Sequence, residues 1–255
     1  MIKDGLSATI VNHCHRRLSK ALNDAVKRNL IDRNPCTFAT TPKIQAKEIH
    51  PLDDYQIVDI LTEAKESQYH AITYMGLHTG MRRGELCALK WKDIDLDLGA
   101  IHVNRALYRR RGIDYISSPK TRWGRRAIAL SPQTVLFLKE ELQKQFDNRL
   151  FYGYRLDQDS PVFRYTYNGE PIQPNALTHT FKRICIVVGL GTTKFHDLRH
   201  THAVMLLKQG VHPKIVQERL GHSSISVTMD IYSHVIPSMQ EEAIKNFSIP
   251  FEKVG

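Results

Sequence analysis

The ordered series His196-x-x-Arg199, Leu220-Gly221-His222, Tyr232 constrains this chain more than any other feature in it. The surrounding periodicity predicts helices at about 196–209, 213–220 and 224–234, following one at about 174–188. His196 and Arg199 are three residues apart, so on a helix they share a face about one turn apart. Tyr232 follows His222 by ten residues, in an amphipathic setting of Ile225, Val227, Met229 and Ile231. A partner stretch lies upstream at Thr79-Gly80-Met81-Arg82-Arg83-Gly84-Glu85-Leu86. Arg82 follows the Gly80 break near a helix start, where a guanidinium can grip two phosphate oxygens. Glu85 stands at i+3 to orient it. Arg83 competes for the same role, and the spacing to Glu85 favours Arg82. Lys120 lies in Ser118-Pro119-Lys120-Thr121, at a turn between two predicted strands. Two Arg, two His, a Lys and a Tyr with no metal-ligand cluster suit holding a phosphodiester and attacking it with a phenol. A phenol of pKa about 10 is a poor nucleophile at neutral pH, and cationic neighbours are what would activate it.

Charge agrees with an acidic partner. Lys plus Arg number 36 against 26 Asp plus Glu, giving a formal charge of +10 and a pI near 9.5. Nucleic acid is the commonest partner of such a chain. Cys14, Cys36, Cys87 and Cys185 are scattered without a Cys-x-x-Cys pair, so neither a zinc ribbon nor a disulfide framework is suggested. They read as buried free thiols in a reducing cytoplasm. No apolar run is long enough to span a membrane, and no signal peptide is evident. The chain is therefore expected to be cytoplasmic, with no membrane partner.

The rest of the chain reads as mainly α with a small antiparallel β-sheet. Ser7 caps a long basic helix with an apolar stripe of Ile10, Val11, Cys14, Leu18, Leu22, Val26 and Leu30, stopped by Asn34-Pro35. Residues 35–51 carry three prolines and few apolar side chains, and are expected to be an extended linker. Asp53 caps the next helix, another covers roughly 69–78, and a short one runs from Arg82 to Leu89. Trp91 to Tyr108 reads as β, with a turn at Asp97-Leu98-Gly99 and a polar tip at Arg109 to Gly112. Ile113–Ser117 and Arg125–Leu130 complete one sheet. Asp93, Asp95 and Asp97 read as solvated edge charges. Ser131-Pro132 opens the following helix, and Ser238 with Glu241 caps a last one.

These motifs resemble those of the tyrosine recombinases, or phage-type integrases. The resemblance covers about 52–247, with a weaker match through 7–36. It implies a catalytic domain at 52–255, a linker at 35–51 and the last part of a helical core-binding domain at 1–34, so that the chain begins within a domain. It also implies a site-specific recombinase, encoded by a phage or integrative element, that cuts and rejoins DNA through a 3′-phosphotyrosyl link. Residue by residue, Arg82 and Arg199 become phosphate clamps. Lys120 becomes the acid for the leaving 5′ oxygen, and Tyr232 the nucleophile. His196 would hydrogen-bond the phosphate or the phenol, and His222 would donate to a non-bridging oxygen. Gly124 stands where the family often has Ser, four residues after the lysine. No cofactor is implied. The implied partners are double-stranded DNA, three further copies in a homotetramer on DNA, and accessory excision or host DNA-bending proteins. The rival readings are an inactive, truncated DNA-binding relative and a type IB topoisomerase-like enzyme.

Overall fold

The computed structural model describes residues 5–43, 50–118 and 124–233, without the side chains of 230, 232 and 233. The chain divides into two compact units, residues 1–48 and 49–255.

In the first unit, α1 (Ala8–Lys27) starts where Ser7 Oγ accepts from the Ile10 amide. It buries no residue, and Ile10 and Leu18 of its stripe remain exposed. The segment expected to run extended instead opens with a 3-10 turn, Pro35–Phe38. Asn34 is the reason. Its amide donates to Ser19 O at 3.0 Å and Asn23 Oδ1 at 2.7 Å on α1, while its Oδ1 accepts from the Cys36 amide.

The second unit is helical with two small antiparallel sheets. Asp53 and Gln56 form a reciprocal capping box at the start of α2 (Asp54–Ala64). Next come α3 (His70–Thr79) and the short α4 (Arg83–Cys87), separated by Gly80 in the left-handed conformation at φ 63°. A Cβ there would meet Leu220 Cδ2 at 2.5 Å and His202 Cδ2 at 2.7 Å, so the tight turn and the close approach both need glycine.

The single sheet expected from the sequence is split. Strands β1 (Ile94–Asp95), β2 (Ala100–Val103) and β5 (Arg126–Ala129) form one sheet in the order β1-β2-β5. Strands β3 (Ala106–Arg110) and β4 (Ile113–Ser117) form a separate hairpin. Asn104 and Arg105 interrupt the ladder, because both side chains turn back to Asp93, Arg105 at 2.8 Å. Asp93 is thus buried and paired, not a solvated edge charge. Asp95 instead closes a turn, accepting from the amides of Asp97 and Leu98. Trp91 also leaves the expected strand: Trp91–Asp93 is a 3-10 turn, with the indole donating to Gln145. The hairpin tip shrinks to Arg111-Gly112, both at positive φ, which matches the right-handed strand twist and lets Arg109 and Arg110 stay in β3.

Ser131 caps α5 (Pro132–Tyr152), followed by α6 (Pro174–Val187), α7 (Phe195–Lys208), α8 (Pro213–Leu220) and α9 (Ile225–Ser233). The main core joins Ile60, Ile72, Met75, Leu86, Ile128 and Phe181, among others. A second cluster of Ala203, Val204, Leu207, Val216, Leu220 and Ile231 holds α7, α8 and α9 together. Each large aliphatic side chain buried there contributes about 1.5–3 kcal/mol, so α9 has its own apolar anchor in Ile231. Cys36, Cys87 and Cys185 are buried, whereas Cys14 is exposed, contrary to the expectation for all four. No helix among the described residues is long and apolar enough to cross a membrane. The expected cap at Ser238 and Glu241 lies outside the described residues.

Candidate active site

Arg82 is the N-cap of α4, so its backbone amide is free to be taken by its own neighbour. Glu85 Oε2 accepts that amide at 2.9 Å, and Oε1 accepts Arg82 Nη1 at 2.9 Å. The i+3 spacing read from the sequence becomes a real bridge. The second Arg82 terminal nitrogen donates to the Gly221 carbonyl at 2.7 Å, tying α4 to the turn after α8. Arg82 remains 41% exposed, with donors to spare, and faces an open groove of about 1090 Å³. The β3–β4 hairpin forms the far wall through Tyr108, Arg110, Arg111 and Tyr115.

Arg199 comes from α7. The residue is 3% exposed, and its guanidinium donates to Gly80 O at 2.8 Å, while Nη2 has no hydrogen-bond partner. Burial and then the nearby Arg82 pull its pKa to about 9, with Glu85 opposing, so it stays charged at pH 7. A buried cation beside another cation is costly without a counter-anion.

His196 lies one helical turn before Arg199. Desolvation, then His200, Arg199 and Arg82, lower its pKa to about 4, although the residue as a whole is exposed. His200 packs edge-on to His196, with ring centroids 4.7 Å apart. His222 follows Gly221, which ends α8 in the left-handed conformation. Burial, Arg199 and Arg82 hold its pKa near 3, so both imidazoles are neutral at pH 7. His222 Nδ1 is 2.9 Å from Thr228 Oγ1 on α9. Tyr232 occupies α9 one turn beyond Thr228. Its side chain, and the whole of Lys120, lie outside the described residues.

The structure therefore gathers Arg82, Glu85, His196, Arg199 and His222 into one cationic neighbourhood. It adds Arg126, which the sequence reading passed over. Arg126 donates to Glu85 Oε2 at 2.8 Å and Oε1 at 3.1 Å, and its Nε donates to Arg219 O at 2.7 Å. The signal was strand parity: Arg126 and Ile128 are two apart on β5, and Ile128 is fully buried.

Residues 50–239 match the model of the phage integrase family. The chain belongs to that family. This integrase is 31% identical over 97% of its length to a tyrosine recombinase XerC-like protein of Caldanaerobacter subterraneus, covering 68% of that relative. It is 28% identical over 95% of its length to the ICEBs1 integrase of Bacillus subtilis, covering 66% of it. The chain thus spans about two thirds of the length of these relatives. Its fold superposes on the Tn1549 transposon integrase solved with transposon right end DNA, with a TM-score of 0.78 and 26% identity over 95% of this chain and 81% of that one. It also matches a lambda integrase dimer bound to a COC′ core site, with a TM-score of 0.63 at 22% identity over 90% of this chain and 75% of that one. The mainly α fold with small antiparallel sheets is that of tyrosine recombinase catalytic domains.

Proposed function

We propose that this integrase is a site-specific DNA strand transferase that cuts and rejoins duplex DNA through a 3′-phosphotyrosyl intermediate. The observation that carries the reading is the meeting of two guanidinium groups and two neutral imidazoles, from α4, α7 and the turn after α8, beside an open groove. Arg199 among them is buried with an unfilled donor.

In this scheme Arg82 and Arg199 hold the non-bridging oxygens and stabilise the charge that builds at phosphorus, the term expected to dominate. The Tyr232 oxygen forms a bond to phosphorus as the bond to the 5′ oxygen breaks. Lys120 gives that oxygen a proton, leaving a 5′-hydroxyl. His196, neutral at pH 7, is assigned to accept the phenol's proton. His222 donates from Nε2 to a non-bridging oxygen when the Thr228 hydroxyl donates to Nδ1. Attack by a 5′-hydroxyl of another strand reverses the step and joins new partners. The phosphoester energy is conserved, so no nucleotide is consumed. A homotetramer on DNA, helper DNA-bending proteins and a cytoplasmic setting belong to the same proposal.

The test uses nicked duplexes tiled across the DNA that flanks the gene, incubated with the protein and run on a denaturing gel. The expected result is a protease-sensitive adduct at one site, lost in Tyr232→Phe while DNA affinity holds. Salt-sensitive binding with no adduct on any duplex would overturn the strand-transfer reading and leave a DNA-binding relative. Relaxation of plasmids lacking any such site would favour the topoisomerase-like reading.

A further inference from the structure

Glu85 is a carboxylate set between two arginines, and the four hydrogen bonds it accepts are divided evenly. Arg82 supplies two, from its amide and Nη1, and Arg126 supplies two, from Nη1 and Nη2. Each carboxylate oxygen takes two, which fills its acceptor sites. Both the Glu85 side chain, at 5% exposed, and the Arg126 side chain, at 6%, are buried, whereas Arg82 reaches the groove.

We infer that Arg126 is a positioning residue for strand transfer: by saturating Glu85 it keeps the Arg82 guanidinium turned toward the phosphate. This rests on the reading of Arg82 as a phosphate clamp. The logic is charge and valence. A lone Arg82–Glu85 pair is neutral, and its carboxylate competes with phosphate for the same fork. With Arg126 added the trio carries a net positive charge, and the carboxylate has no acceptor site left to draw in further Arg82 donors. Burial alone would raise the Glu85 pKa, but the hydrogen bonds and charge of Arg126, with those of Arg82, lower it, so Glu85 is ionised at neutral pH.

Arg126 also fixes two neighbours of the site. Its Nε holds the Arg219 carbonyl in the last turn of α8, next to the Gly221 carbonyl that Arg82 holds. Two arginines sharing one carboxylate thus grip the two ends of the turn leading into His222. Arg126 is also the first residue of β5, six residues after Lys120 in the sequence, and its Nη1 lies 3.4 Å from Gly124 O. One side chain therefore registers α4, the α8 turn and the start of β5.

The experiment compares the full chain with Arg126→Ala, Arg126→Lys and the double variant Arg126→Ala with Glu85→Gln. One readout is the adduct rate on saturating nicked duplex. The other is orthovanadate affinity by calorimetry, a phosphate mimic that requires no strand transfer. Arg126→Ala is expected to slow adduct formation about 100-fold, the scale of a misplaced catalytic group, with little change in duplex affinity. Arg126→Lys keeps the charge without the fork and should fall between. The double variant removes the carboxylate charge left paired to Arg82 alone and should recover about tenfold over Arg126→Ala, a coupling of neighbours. Vanadate affinity should follow the same order, whereas melting temperatures need not. A wild-type rate in Arg126→Ala, or no recovery in the double variant, overturns the inference and leaves strand transfer standing. If the wild type makes no adduct yet vanadate affinity keeps this order, the positioning role stands and the strand-transfer reading falls. No adduct and no vanadate binding by the wild type overturn both.

Discussion

The Thr228 hydroxyl lies 2.9 Å from Nδ1 of His222, so the helix that carries Tyr232 is tied to an imidazole of the cationic cluster. Thr228 is fully buried, and its hydroxyl takes up Nδ1 of His222, as donor or as acceptor. Thr228→Val keeps the shape and deletes the bond. It is expected to cost about 1–2 kcal/mol of stability and to slow adduct formation by about tenfold or more, within the usual range for proton-handling groups. Denaturant unfolding and single-turnover cleavage measure the two. An unchanged rate would mean that the bond only fastens the helix.

Acid should weaken this fold through its neutral histidines. His202 is buried, and desolvation followed by Arg219 holds its pKa at about 3. It accepts a hydrogen bond from Arg219 Nε at 3.0 Å, which requires a bare nitrogen. As pH falls through about 6.5 the unfolded chain gains this proton, while the folded chain does not until near 3. Stability therefore falls with pH across that window, by about 1.4 kcal/mol per pH unit for each such group. His202→Gln should flatten the slope of unfolding free energy against pH by about that amount. An equal slope in the variant would assign the acid sensitivity elsewhere.

Lys120→Ala is expected to cripple cleavage of ordinary DNA and to spare a substrate whose scissile 5′ oxygen is replaced by sulfur. A thiolate departs without an acid, so the defect should shrink by at least about tenfold. Equal defects on both substrates would reduce Lys120 to a phosphate contact.

Gly80→Ala tests the turn that presents Arg82. The new methyl would need φ near 63° and would collide with Leu220 and His202. A loss of about 2–4 kcal/mol is expected, the sum of strain and overpacking. Because Gly80 O also receives Arg199, adduct formation should fall further than the folded fraction does. A rate that tracks the folded fraction would confine Gly80 to a packing role.

Local chemistry was readable along the chain. Ser7, Asp53 and Ser131 cap their helices as side-chain type and spacing suggest. His196, Arg199 and His222 share a neighbourhood because helix periodicity and a left-handed Gly221 are local properties. What escaped depended on partners far along the chain. Arg126 stands beside Arg125; strand parity with Ile128 separates the two, but its partner Glu85 lies on α4, far along the chain. Asp93 shares an alternating acidic pattern with Asp95 and Asp97, yet Arg105 draws it inside and splits the sheet. The expected roles of Lys120 and Tyr232 still rest on motif spacing.

The uneven burial of the four thiols gives this integrase a ready chemical handle. Burial pushes Cys87 up to about 12 and Cys185 to about 11, so almost none of either is thiolate at neutral pH, and Cys36 is shielded behind its 3-10 turn. Cys14 alone of the four is exposed on α1. A maleimide dye added at pH 7 would therefore attach at one position in the first unit, with no engineered cysteine. With a second dye on a DNA duplex, energy transfer would then time the approach of that unit to DNA, separately from the chemistry of the second.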